Sequence, residues 1–292
     1  MKYFKYFIII FIILSLSYSR GSDNKKTESK ETDLLTFSKI DRALKLSEGE
    51  NVKVAVIDWQ FDLTGKQRGK YIHPVSMAPG EDIGKLKPWH GEWMAEIVHK
   101  VAPKVKIIPI KAKSLSNREY EKYLIKGIYY AADKGAVAVS SSMGPLEYSE
   151  ELKKAIDYAE LNGMIFVDVH PEYTIGKDGK KKFCKEGKCD NRIIHTGVVS
   201  VPEHPTTPKL NRDIYTWPYD LDKNYEDGWG YSNAPPIVVG VIALIKSIYP
   251  ELSNAEVRRI IIETAEEYNG FNVLNSLEAV KLAKKMKEKF RK

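Results

Sequence analysis

The amino-acid sequence predicts an α/β fold with a mostly parallel central sheet and helices on both faces. Two observations carry this expectation. Short apolar, β-rich runs alternate along the chain with segments of helical period, as in strand-crossover-strand units. One of those segments, 237–245 (Ile-Val-Val-Gly-Val-Ile-Ala-Leu-Ile), is apolar all round and so belongs inside the fold. The chain has 292 residues, 43% of them hydrophobic, which suits one α/β domain with extensions and a sizeable core.

In chain order, residues 1–19 read as an export signal or N-terminal anchor. Lys2 and Lys5 form a basic start, Phe7 to Leu16 is almost wholly apolar, and Ser17-Tyr18-Ser19 offers small residues for cleavage. The apolar run is shorter than the ~20 residues of a comfortable span. An uncleaved anchor that includes Tyr3 to Tyr6 is the alternative. Residues 20–33 are polar and aperiodic and read as a linker; residues 34–292 form the folded domain, ending in a basic helix. Strands are expected at 52–57, 105–110, 136–139, 164–169 and 193–201. Helices are expected at 92–101, 118–134, 149–162, 236–249, 254–267 and 275–288. In 118–134 the helical period puts Tyr120, Tyr123, Leu124, Ile128 and Ala131 on one face. Pro236 opens the apolar helix, where a missing N–H costs nothing.

The net charge of +7 is concentrated in Lys25-Lys26, in 177–188 and in 284–292. Aromatic residues do not interleave with these runs and no nucleic-acid motif accompanies them, so a nucleic-acid partner is not expected. They read as solvated surface, with attraction to an anionic membrane surface as the other reading. The two cysteines, Cys184 and Cys189, flank Lys-Glu-Gly-Lys. In an oxidising compartment they predict a small loop disulfide; free thiols are the alternative.

Three positions carry candidate chemistry. Asp58 ends the run Val-Ala-Val-Ile, where a carboxylate can be desolvated and fixed so as to orient an imidazole. His90 opens an amphipathic helix, and Gly91 after it permits close approach of another segment. Ser232 lies just before the Pro236 helix, whose N-terminal donors favour a developing oxyanion. Each alone also has an ordinary reading: a turn cap, a surface histidine, a helix-entry serine.

Together they resemble the subtilisin-like serine peptidases, the subtilases, in the chain order Asp, His, Ser. Val-Ala-Val-Ile-Asp58 is similar to that family's strand ending in Asp-Thr-Gly. His90-Gly91, with Val101-Ala102-Pro103 beyond, is similar to its His-Gly-Thr-His block and following Val-Ala-Pro. Ser142-Met143-Gly144 is similar to its Ser-Leu-Gly substrate edge, and Gly230-Tyr231-Ser232-Asn233-Ala234-Pro235 to its Gly-Thr-Ser-Met-Ala-Ala-Pro. The resemblance spans roughly residues 34–282. It implies a three-layer α/β/α sandwich and endopeptidase activity on an extended peptide or protein. Ser232 would be the nucleophile, His90 the acid-base group and Asp58 its orienter, while Ser142, Met143 and Gly144 would pair with substrate as an added strand does. No cofactor is required; structural calcium is common in the family, but no motif here places its ligands.

The chain departs from the family pattern at several points. The family's oxyanion Asn falls on Glu172, a carboxylate of the wrong sign, with His170 as the nearby alternative donor. Loss of one such donor costs roughly 10²- to 10³-fold in rate. Asp-Thr-Gly has become Asp58-Trp59-Gln60, and Glu92, Trp93, Tyr231 and Asn233 replace family residues beside the histidine and the serine. A peptide-binding protein of impaired activity therefore stands as the alternative to an exported endopeptidase. A zinc deaminase matches only at His170-Pro171-Glu172; its Pro-Cys-x-x-Cys half is missing.

Overall fold

The structure, a computed structural model, describes residues 34–65, 67–84, 90–114, 119–185, 188–199, 212–217 and 230–290. The expected export segment and linker, the end of the strand expected at 193–201 and the start of the helix expected at 118–134 lie outside the described residues. Two short helices come first, α1 (Leu34–Phe37) and α2 (Ile40–Ala43). There follow β1 (Lys53–Asp58), β2 (Val75–Ser76), α3 (His90–Val101), β3 (Lys106–Lys111), α4 (Tyr120–Asp133), β4 (Ala138–Ser141), β5 (Leu146–Glu147), α5 (Glu150–Leu161) and β6 (Ile165–Asp168). Next are β7 (Glu172–Ile175), β8 (Lys181–Phe183), β9 (Ile194–Val198), β10 (Ile214–Thr216), α6 (Ala234–Ile248), α7 (Asn254–Glu263), β11 (Glu266–Tyr268), β12 (Phe271–Val273) and α8 (Ser276–Phe290).

Among the described residues the main sheet has the order β11-β12-β10-β9-β6-β4-β1-β3-β2. Its strands are parallel except for the terminal β11–β12 hairpin. Side-chain alternation along the strands makes two cores. Val54 and Val56 of β1 pack with Ile107, Ala138, Ile165 and Val167 against α3, α6, α7 and α8. Ala55 and Ile57 pack with Ile108, Ile110, Val139 and Phe166 against α4 and α5. Both faces of the sheet are therefore covered, as the near-continuous apolar strands require, and the fold is the expected three-layer α/β/α arrangement.

Helix α6 is the central packing element, with every residue from Ala234 to Lys246 buried. The segment Tyr231–Ile248 is long and apolar enough to cross a bilayer, but 78% of it is buried inside the fold. At Gly240 a Cβ atom would come within 2.6 Å of Val101, so glycine is what lets α6 approach α3. The helix expected at 254–267 stops at Glu263. Asn269 and Gly270 take positive φ, close a tight turn, and divert 266–273 into an antiparallel hairpin. A capping box between Ser253 and Glu256 fixes the start of α7.

Strand order reverses around β1, which has β4 on one side and β3 on the other. In open α/β sheets such a switch point leaves a crevice beyond the carboxyl ends of the strands. Asp58 ends β1 and Ser141 ends β4, so Asp58 and the Ser142 edge meet at that crevice.

Candidate active site

Asp58 is fully buried at the tip of β1. Its Oδ1 accepts the amide of Trp59 at 2.6 Å. Nδ1 of His90 lies 2.8 Å from Oδ1 and 2.9 Å from Oδ2 of the same carboxylate. His90 is the first residue of α3, so the rigid helix end aims the ring. Gly91 makes this approach feasible: a Cβ there would lie 2.7 Å from Phe61, 2.8 Å from the Gln60 carbonyl and 2.9 Å from Asp58. A carboxylate on Nδ1 requires the proton on that nitrogen, leaving Nε2 as the basic atom. Burial alone would lower the His90 pKa, but the charge and hydrogen bond of Asp58 outweigh it, and the pKa is raised above its ordinary 6.5.

Ser232 sits in the 3₁₀ turn Tyr231–Asn233 that leads directly into α6 and packs against α3. Its carbonyl accepts the Ser142 hydroxyl at 2.9 Å. The Ser142 carbonyl in turn lies 3.2 Å from Nε2 of His170. A carbonyl only accepts, so His170 donates from Nε2. Burial, with Arg212 and His90 nearby, pushes the His170 pKa down to about 4, and the ring is neutral at pH 7. The structure thus brings Asp58 to His90, and Ser142 to both Ser232 and His170. Met143 is buried, its amide 3.4 Å from the Ser141 hydroxyl. At Gly144 any Cβ would strike His170 at 2.3 Å, so glycine is obligatory where the His170 ring stacks on this edge.

Glu172 is placed otherwise than the family pattern implies. The segment after β6 forms β7, pairing in parallel with β5, Leu146 opposite Glu172. This pairing turns Glu172 inward, and it is 0% exposed. One carboxylate oxygen contacts Nε2 of His195 at 2.9 Å. The other accepts the amides of Cys189 at 2.7 Å and Asp190 at 3.3 Å. The acid therefore holds a buried histidine and a neighbouring loop. That loop is closed by the joined Cys184 and Cys189, whose Cα atoms are 5.3 Å apart. With His170 on Ser142, Glu172 on His195 and both cysteines bonded, the zinc-deaminase reading finds no ligand set. Among the described residues no group of three His, Cys, Asp or Glu is arranged to hold a metal ion.

Sequence reasoning missed this buried polar cluster. His195 Nδ1 lies 3.8 Å from Asp213, which also pairs with Lys188. Asp168, fully buried, has no hydrogen-bond partner of good geometry, though the amides of Val169 and His170 approach it. Desolvation pushes its pKa up to about 7. Burial would lower the His195 pKa, but the carboxylates of Asp213, Glu172 and Asp168 prevail and hold it at about 9. Arg212 donates to the carbonyls of Val169 and Thr196, its guanidinium 5.5 Å from the Tyr231 ring centroid.

A pH dependence of stability follows. Folded His195 keeps its proton to about pH 9, whereas the unfolded imidazole releases it near 6.5. Its contribution is fully present below about pH 6.5 and is lost as pH rises through about 9. Asp168, raised to about 7, acts with the same sign and adds a smaller loss just above pH 7. Denaturant melts from pH 7 to 9 should show stability falling, by about 3 kcal/mol in full. A flat profile would contradict the charged His195–Glu172 pair.

Comparison with known proteins bears on this geometry. The model of the subtilase family matches residues 49–168 and 186–279. The break between those stretches contains β7, β8 and Glu172. Subtilisin DY from Bacillus licheniformis is 28% identical over 235 residues, covering 74% of this chain and 84% of the relative. Among solved structures, a lanthipeptide protease superposes with a TM-score of 0.67 at 18% identity, covering 88% of this chain and 96% of the other. MycP1 from Mycobacterium smegmatis gives a TM-score of 0.66 at 19% identity, covering 85% and 83%.

Proposed function

Since this chain belongs to the subtilase family, we propose that it is an exported serine endopeptidase in which Ser232 attacks, His90 moves the proton and Asp58 orients His90. At family level it is a serine-type peptidase. The observation that carries the finer reading is the double contact of His90 Nδ1 with both oxygens of the buried Asp58.

The proposed chemistry builds on that contact. Nε2 accepts the Ser232 hydroxyl proton as Oγ bonds to the scissile carbonyl carbon, whose electron pair moves onto oxygen. The imidazolium, stabilised by Asp58, then gives its proton to the leaving amine as the C–N bond breaks. Water, deprotonated by Nε2, releases the acyl group. Backbone N–H groups at the start of α6 support the oxyanion. Glu172 adds no side-chain donor, so turnover is expected roughly 10²- to 10³-fold below that of a site with one. Export is supported by the basic and apolar N-terminal run and by the joined cysteines. The Lys-rich α8 would favour an anionic membrane surface.

The withdrawn Glu172 favours a second reading, an impaired enzyme that binds an extended peptide along Ser142 to Gly144 without cutting it. A fluorophosphonate probe separates the two. The peptidase reading expects labelling of the wild-type chain and none of Ser232→Ala. A folded wild type that stays unlabelled would overturn it in favour of the binding reading.

A further inference from the structure

Lys113 lies two residues beyond Lys111, the register partner of Asp58 in β3. The amide of Ala112 donates to the Asp58 carbonyl at 2.8 Å, which fixes the strand end carrying Lys113 beside the site. The Lys113 Nζ sits over the Trp59 ring, 3.1 Å from its centroid. That ring is 6.0 Å from the His90 ring, and Trp93 lies 6.2 Å from His90. Two tryptophans and a lysine thus rim the imidazole. The neighbouring cation is already used: Lys111 is buried, with Nζ 2.6 Å from Glu81 and 2.7 Å from the Lys113 carbonyl. Lys113 has no carboxylate within ion-pair distance among the described residues, and the sequence from Lys111 to Arg118 contains no acid.

This placement is costly without a partner. Burial lowers the Lys113 pKa, and its charge opposes protonation of His90, the group that must hold a proton during catalysis. A cation–π contact supplies only about 0.5–2 kcal/mol. An anionic group entering the crevice would both pair with Lys113 and relieve its opposition to the imidazolium. We infer that Lys113 is a specificity-determining residue that selects substrates with an Asp or Glu side chain within two residues of the scissile bond. This rests on the peptidase reading, and its test keeps the two separable.

The experiment is cleavage of a degenerate fluorogenic peptide library by the full chain, scored by kcat/KM for acidic, neutral and basic residues at each flanking position. Wild type should favour an acid over a base by roughly 10-fold or more at one position. Lys113→Arg should keep the preference, Lys113→Gln should abolish it, and Lys113→Glu should reverse it. Unchanged preference in Lys113→Glu, or none in wild type, overturns the inference while leaving the peptidase reading intact. If nothing is cleaved and the fluorophosphonate does not label, the peptidase reading fails. Binding of an acidic and a basic peptide, read by fluorescence anisotropy, then decides for Lys113 alone. Weaker binding of the acidic peptide to Lys113→Glu supports the charge selection, and equal binding overturns it.

Discussion

Replacement of Asp58 by Asn is expected to lower kcat by roughly 10⁴-fold with little change in KM. The carboxylate receives the Nδ1 proton through two contacts of 2.8 and 2.9 Å. An amide can instead donate to Nδ1, which moves the ring proton to Nε2 and removes the base. Asp58 is fully buried, and its charge is what raises the His90 pKa against burial. The variant should therefore also shift the acid limb of kcat/KM to lower pH, since His90 loses the charge that held its proton. Steady-state kinetics on a peptide ester and its pH profile supply both readouts. A loss smaller than about 10-fold, with the pH profile unmoved, would mean that Asp58 positions the chain and does not orient the base.

Much of this architecture was legible because strand and helix periods are local properties. Val54, Ala55, Val56 and Ile57 announce a strand buried on both sides, and the structure sends alternate residues into the two cores. The run 237–245 is apolar around its whole circumference, so only a central position suits it. The short pairings were hidden. A two-residue strand such as β5 has no period to detect, yet its register with β7 decides which way Glu172 points. The polar cluster was hidden for a different reason: Asp168 and Glu172 lie well before His195 and Asp213 in sequence, and the pairs meet only when β9 and β10 line up beside β6 and β5 pairs with β7. One signal was available. Asp168 in Ile-Phe-Val-Asp-Val and His195 in Ile-Ile-His-Thr-Gly each interrupt an apolar strand, and a polar residue inside such a run needs a partner from elsewhere. The helix expected at 254–267 ran long because Glu266 and Glu267 suit a helix as well as a hairpin, and the Asn269-Gly270 turn decides between them.

Glu172 then separates the family pattern from the geometry of this chain. Were Glu172 at the oxyanion, Glu172→Asn would restore a donor and raise kcat by roughly 10²- to 10³-fold. The structure predicts the opposite. The carboxylate is wholly buried, bonded to His195 and to the Cys189 and Asp190 amides. Its removal leaves a buried imidazolium short of a counter-charge and two amides short of an acceptor. Glu172→Ala should lower stability by about 3–5 kcal/mol at pH 7, the usual cost of breaking a buried ion pair from one side. Asp168 limits the loss, because without Glu172 its own pKa falls and it can ionise beside His195. Glu172→Asn, shorter by one methylene, should be destabilised as well and should show no gain in kcat. Glu172→Ala combined with His195→Phe should recover part of the loss, since the stranded cation is gone. Urea melts of the four chains, with kcat measured well below each midpoint, distinguish the cases. A gain in kcat for Glu172→Asn would return this residue to the oxyanion. Loss of stability without that gain assigns it to the scaffold, and leaves the backbone at the start of α6 to stabilise the charge alone.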